Sequence, residues 1–180
     1  MKSALLCPAP VSADGVAANS AVNRGRFATT ASERLRILER YKRIAMVGLS
    51  SNPFRPSHFA AIYLLAEGYD IVGVNPREKE VLGRLCFPSL RDVPRPVEVV
   101  DIFREVSAVP ALVDDAIAVG AKVIWMQLGV VHEASAERAQ AAGLAVVMDR
   151  CMKIEHARFF GGLSTIGLNT GLVSSRLRRL

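Results

Sequence analysis

Gly48, Ser50, Ser51, Arg55 and Ser57 fall within ten residues, in the stretch Gly48-Leu49-Ser50-Ser51-Asn52-Pro53-Phe54-Arg55-Pro56-Ser57. Serine hydroxyls donate to anionic oxygens, and an arginine fork donates twice. A glycine lets a ligand approach the backbone. Together these are phosphate-binding residue types. Ile44–Val47, just before them, is an apolar run of strand formers, and an amphipathic helical pattern begins at Ser57. A strand, a tight loop and a helix N-terminus present unpaired N–H groups and the positive end of a dipole to an anion. Taken alone, the stretch reads equally as a phosphate seat or as a polar turn with a capped helix.

The periodicity around this stretch predicts the elements that position it. A short helix starts at an N-cap Ser32, with Leu35, Leu38 and Tyr41 at helical spacing. Strand Ile44–Val47 follows. A helix then runs from its cap Ser57 to Glu67, with Phe59, Ile62, Tyr63, Leu65 and Ala66 on its buried side, and Gly68 ends it. Further strands are expected at Asp70–Val74, Val97–Phe103, Lys122–Gln127 and Ala145–Asp149, with a brief one near Arg84–Phe87. Helices fill the gaps, one capped by Ser107 and closed by Gly120, another over Glu133–Ala142. Beyond Cys151 the pattern fades into Gly-rich sequence and a basic end. The fold class is therefore α/β: a doubly wound, mainly parallel five-stranded Rossmann-like sheet with helices on both faces. The domain occupies 32–156, between a disordered leader, 1–31, and an extension, 157–180. Such sheets bind ligands beyond the carboxyl ends of their strands. The residues standing there are Gly48-Leu49-Ser50-Ser51, Asn75-Pro76, Phe103-Arg104, Gln127-Leu128-Gly129 and Arg150-Cys151.

Composition sets limits. The 180 residues are 51% hydrophobic and only 6% aromatic, as suits strands buried on both faces. No apolar run is long enough to span a membrane. The net charge is +6, but 1–43 carries +5 and 151–180 carries +4, leaving −3 between. The basic excess sits at the ends rather than across the fold, so a nucleic-acid partner is not expected. Cys7, Cys86 and Cys151 form no disulfide framework, which suits the cytoplasm. Cysteines and histidines this scattered make no metal cluster.

Several residues have two readings. Cys151 is a small buried residue, or a thiol for mixed-disulfide or redox chemistry. Arg150 clamps a phosphate or pairs with an acid such as Glu155. His58 donates to phosphate or sits on the surface. His132 faces solvent. His156 beside Glu155 could act as a general base, but the sequence offers no nucleophile, no carboxylate pair and no substrate for it, so no catalytic residue is assigned. Trp125 belongs to the core or to a dimer face.

The nucleotide class narrows by elimination. A dinucleotide fingerprint needs three glycines and an acid at the end of the second strand; here only Gly48 is present, and Asn75 stands at that end. No G-x-x-x-x-G-K-[ST] occurs either.

The span from about Ile44 to Glu155 resembles the small stand-alone CoA-binding proteins of bacteria, relatives of the N-terminal domain of the succinyl-CoA synthetase α subunit. The resemblance rests on Val47–Pro53 with Arg55-Pro56-Ser57, Val74-Asn75-Pro76, Val100–Arg104, Trp125–Val130 and Met148–Cys151. One departure is His132 before Glu133, where an asparagine is expected. The resemblance implies coenzyme A lying across the carboxyl edge. Gly48, Ser50, Ser51, Arg55 and Ser57 would hold phosphates, and Asn75 and Pro76 would sit by the ribose or adenine. Phe103 and Arg104 would flank the adenine or diphosphate, and Gln127, Leu128 and Gly129 would meet the pantetheine arm. It implies a non-catalytic binder of CoA or a short acyl-CoA. The alternatives are a subunit of an acyl-CoA synthetase completed by a partner chain, and an NAD- or nucleotide-responsive regulator. Apolar strands at an open sheet edge make a homo-oligomer or an unidentified protein partner plausible.

Overall fold

A computed structural model describes residues 29–94 and 96–161. The expectations for 1–28 and 162–180, Cys7 among them, lie outside the described residues. The elements are α1 (Ala31–Arg40), β1 (Arg43–Val47), α2 (Pro56–Ala66), β2 (Asp70–Val74), β3 (Glu80–Val81), β4 (Arg84–Phe87), β5 (Val99–Ile102), α3 (Val109–Val119), β6 (Val123–Met126), α4 (Glu133–Ala141), β7 (Ala145–Val147) and α5 (Met152–Phe160). The sheet order is β3-β4-β2-β1-β5-β6-β7. All neighbours pair parallel except β3 with β4.

The chain leaves β1 toward β2 on one side and later returns to β5 on the other, so the switch point lies between β1 and β5. Side chains alternate across the sheet with the period of two that a strand imposes. On β1, Ile44 and Met46 join Ile37 and Leu38 of α1, Ala61 and Leu64 of α2, and Met152 of α5. Ala45 and Val47 face the other way, toward Val113 and Ala116 of α3 and Ala136 and Ala139 of α4. Trp125, fully buried, belongs to the first cluster, and its indole N–H donates to the Arg150 carbonyl at 2.7 Å.

The architecture is the expected one, with seven strands instead of five. The two additions form a hairpin at one edge, with Gly83 at positive φ in its turn. β4 is the brief strand anticipated at Arg84–Phe87; β3, two residues long, is too short to leave a periodic trace.

Several boundaries differ for identifiable reasons. Thr30, not Ser32, caps α1: its hydroxyl accepts from the Glu33 N–H, and the Glu33 carboxylate accepts from the Thr30 N–H in a capping box. Helix α2 begins two residues earlier than expected: Arg55, not Ser57, is at the N-cap, and Pro56 is in the first turn. Its buried residues are Ser57, Ala60, Ala61 and Leu64, whereas Phe59 and Ile62 are exposed. The helix is apolar nearly all round, so its pattern specifies no face. A 3-10 turn, Val106–Ala108, precedes α3, and Ser107 lies within it rather than capping the helix. His132 caps α4: its Nδ1 accepts from the Ser135 N–H at 3.1 Å, the part an asparagine would have played.

The largest departure is α5, where the sequence pattern fades. Its inward face carries charge. Glu155, 1% exposed, pairs with Arg34 of α1 at 2.7 Å and with Arg158 at 2.8 Å. An apolar-periodicity search does not register such a face. His156 packs among Tyr63, Tyr69 and Phe160, with Nδ1 3.1 Å from the Tyr63 hydroxyl. Burial lowers its pKa, so it is a neutral core residue here.

Candidate functional site at the carboxyl edge of the sheet

Gly48 closes β1. Its N–H donates to the Val74 carbonyl at 2.8 Å, and its φ of +88° is open to glycine. A Cβ at this position would lie 2.5 Å from the Phe103 carbonyl oxygen. The glycine thus lets the β1 and β5 ends approach each other at the switch point. Two side chains hold the loop that follows. Asn75 Nδ2 donates to the Leu49 carbonyl at 2.7 Å, while Asn75 Oδ1 accepts from the Arg77 N–H at 3.0 Å. His58 Nδ1 lies 2.9 Å from the Ser50 carbonyl; that oxygen only accepts, so Nδ1 carries the hydrogen. His58 is therefore a brace for the loop.

Beyond these strand ends opens a cleft of about 1200 Å³. Its walls include Gly48, Ser50, Arg55, Ser57, Asn75, Pro76, Phe103, Arg104, Gln127, Leu128 and Cys151, all singled out from the sequence. Five strand ends and two helix N-termini bring them together from positions more than a hundred residues apart. Four other residues singled out do not line it. Leu49 is 1% exposed and packs in the core. Gly129 donates its N–H to Asp149 Oδ1 at 2.8 Å. Arg150 reaches the Asp149 carbonyl, not Glu155, whose oxygens serve Arg34 and Arg158. Ser51 donates both N–H and hydroxyl to Glu78 Oε1, at 2.9 and 2.8 Å. These bonds, backbone first, lower the Glu78 pKa.

The cleft also recruits residues that sequence reasoning passed over: Pro56, Phe59, Ala60, Arg77, Glu78, Glu105, Val130, Lys153 and Ile154. Arg77 follows Asn75-Pro76 directly and carried a signal, a cation just past a strand end. Lys153 and Ile154 were hidden with α5. Phe59, expected on the buried side of its helix, is instead exposed toward the cleft.

The electrostatics are one-sided. Arg55, Arg77, Arg104 and Lys153 line the cleft against Glu78 and Glu105. Among the described residues none of those four cations sits in a salt bridge. The Ser57 N–H and hydroxyl, in the first turn of α2, likewise have no protein partner among the described residues. Cationic forks and open helix N–H groups are the donor set an anionic ligand requires. Cys151 stands at the start of α5. Burial raises its thiol pKa, with the Asp101 charge adding and the Lys153 and Ile154 N–H groups opposing. Raising it lowers the thiolate fraction on which disulfide exchange depends.

The α/β architecture and the switch-point cleft define a Rossmann-like domain whose carboxyl-edge cleft is lined by more cations than carboxylates. The family model of the CoA binding domain matches residues 42–157, and the chain belongs to that family. The Bacillus subtilis protein YneT is 38% identical over 121 residues, covering 67% of this chain and 90% of YneT. A solved structure of a Pyrococcus horikoshii protein is 44% identical, with a TM-score of 0.70, covering 72% of this chain and 92% of that one. The dinucleotide-forming acetyl-coenzyme A synthetase 1 of Ca. Korarchaeum cryptofilum, solved with phosphate and ADP, is 26% identical, with a TM-score of 0.57. That alignment covers 64% of this chain and 27% of the synthetase. No helix among the described residues is long and apolar enough to cross a membrane.

Proposed function

We propose that this protein holds coenzyme A, or a short acyl-CoA, across the carboxyl edge of its sheet and performs no chemistry on it. The observation that carries the reading is the cleft at the switch point, walled by residues of the Gly48–Ser57 loop and by Arg55 and Arg104, neither of which sits in a salt bridge among the described residues. In this reading Gly48, Ser50, Arg55 and Ser57 hold phosphates. Arg104 and Phe103 flank the diphosphate or adenine, Asn75 and Pro76 sit beside the ribose, and Gln127 and Leu128 meet the pantetheine arm. Ser51, engaged by Glu78, joins only if that carboxylate gives way. A volume of about 1200 Å³ accommodates a ligand of this size.

A second reading is favoured by the likeness to the Korarchaeum synthetase: this chain as the CoA-binding subunit of an enzyme completed by a separate chain. Native mass spectrometry of the purified protein, followed by titration calorimetry with CoA, tests the first proposal. An adduct of CoA mass lost on denaturation, or saturable binding of added CoA, supports it. Absence of both overturns it. An adduct released only by reductant assigns a thiol link, most simply at Cys151. Co-purification with a chain that confers acyl-CoA synthesis establishes the second reading.

A further inference from the structure

Asp101 lies in the middle of β5, flanked in register by Met46 of β1 and Trp125 of β6, and is 0% exposed. Gln127 Nε2 donates to its Oδ1 at 2.6 Å. Its Oδ2 is buried without a partner, and no cation pairs with it among the described residues. A carboxylate in such a place is costly unless it performs a task. The geometry limits what that task is. A carboxylate only accepts, so the Gln127 amide must turn its nitrogen toward Asp101. Gln127 itself lines the cleft, and its Oε1 has no protein partner among the described residues and is not fully buried.

We infer that Asp101 is a positioning residue: by holding the Gln127 nitrogen it makes Gln127 present a carbonyl oxygen to the cleft, so that this end of the site selects a ligand group that donates a hydrogen bond. Resting on the CoA reading, that group is an amide N–H of the pantetheine arm. A neutral acid loses this control. A protonated Asp101 has a hydroxyl that can donate to Oε1, and the amide is then free to turn its nitrogen to the cleft instead.

Burial pushes the Asp101 pKa up to about 7, opposed by the Gln127 hydrogen bond, so the exchange falls near neutrality. The ionisable group that shares its surroundings is the Cys151 thiol of α5, whose own pKa burial raises further; β1 and β6 place Met46 and Trp125 beside it.

The test has two readouts. In nitrogen-15 spectra of the ligand-free protein, the Gln127 side-chain amide shifts through a titration near pH 7, and Asp101→Asn, which has no titratable proton, abolishes that titration. In calorimetry, wild-type affinity for CoA rises three- to tenfold from pH 6 to pH 8 relative to Asp101→Asn, which carries a donor as the protonated acid does and so matches wild type at pH 6. Titration of the ligand's own phosphates cancels in this ratio. A Gln127 amide indifferent to pH, or identical pH profiles for the two proteins, overturns the inference. Failure of wild type to bind CoA overturns the CoA reading and leaves the Asp101–Gln127 pairing to the spectra, which need no ligand.

Discussion

The two edges of the same sheet treat charge in opposite ways. At the amino edge the charges satisfy one another. Glu98 Oε2 accepts from the Lys42 and Arg43 N–H groups, each at 2.9 Å, and Asp70 lies 3.5 and 3.6 Å from Arg43 and Arg84. A smaller hollow there, about 520 Å³, is lined by Glu98 together with Arg40 and Lys122. At the carboxyl edge Arg55, Arg77, Arg104 and Lys153 have no such partners among the described residues, and the cleft carboxylate Glu78 is engaged by Ser51. Both edges are polar and carry similar residue types. What separates them is whether the protein completes its own electrostatics or leaves them for a ligand to complete.

Perturbing each edge should therefore register in different observables. The largest effect comes from the buried acid next to the carboxyl edge. Asp101 has a folded pKa raised above its unfolded value, so folding takes up a proton between about pH 4 and pH 7. Its contribution to stability is fully present below pH 4 and is lost as pH rises through 7. At about 1.4 kcal/mol per unit, the unfolding free energy of wild type relative to Asp101→Asn falls by about 4 kcal/mol over that window and is flat above it. Denaturant titrations at pH 4, 5.5, 7 and 8 measure this, and a difference constant across the series would refute it. Next is Gly48→Ala. The left-handed φ and the clash with the Phe103 carbonyl cost about 3 kcal/mol of stability and abolish CoA binding, since the β1 and β5 ends must separate. A variant with wild-type melting temperature would show that the close approach does not matter.

Arg55→Ala is the clean probe of the carboxyl edge. Losing one charged hydrogen-bonding partner weakens CoA binding by about 1.5–3 kcal/mol, roughly ten- to 150-fold, with no loss of stability. Its mirror image is Glu98→Gln, which lowers stability by about 1 kcal/mol through weaker acceptance from two N–H groups and leaves CoA affinity untouched. If both variants changed the same observable, the contrast between the edges would fail. The smallest effect is expected at Glu78→Gln: removing the carboxylate from a phosphate-binding edge and loosening its hold on Ser51 tightens CoA binding a few-fold, less at high salt. Weaker binding would instead give Glu78 a direct part in holding the ligand.

Much of this molecule is written locally. Strand β2, Asp70–Val74, matches its expected bounds, β1 and α4 differ by one residue at one end and β6 by one at each end, because period-two apolar runs and helix-ending glycines are properties of short stretches. The same runs place polar residues after strands, which is how eleven cleft residues were named in advance. The misses share a cause as well. Helix α5 turns charge inward, and the face of α2 depends on what packs against it, so neither leaves a local pattern. Asp101 is the sharpest case: in the sequence it is an acid within an apolar strand, with nothing to connect it to Gln127.

The sequence by itself determined the α/β class, the order of the main strands and of helices α1–α4, the glycine at the first turn and the set of residues available at the strand ends, since each depends on side-chain type and spacing along a few residues. Only the tertiary structure decided which of them meet. Parallel pairing brings Gly48 against Phe103, the diagonal between β5 and β6 brings Asp101 to Gln127, and the Arg34–Glu155 pair fastens α5 where Cys151 and Lys153 reach the cleft. Those are contacts between residues far apart in the chain, fixed by packing and by the desolvation of charge, and no stretch of sequence holds both partners.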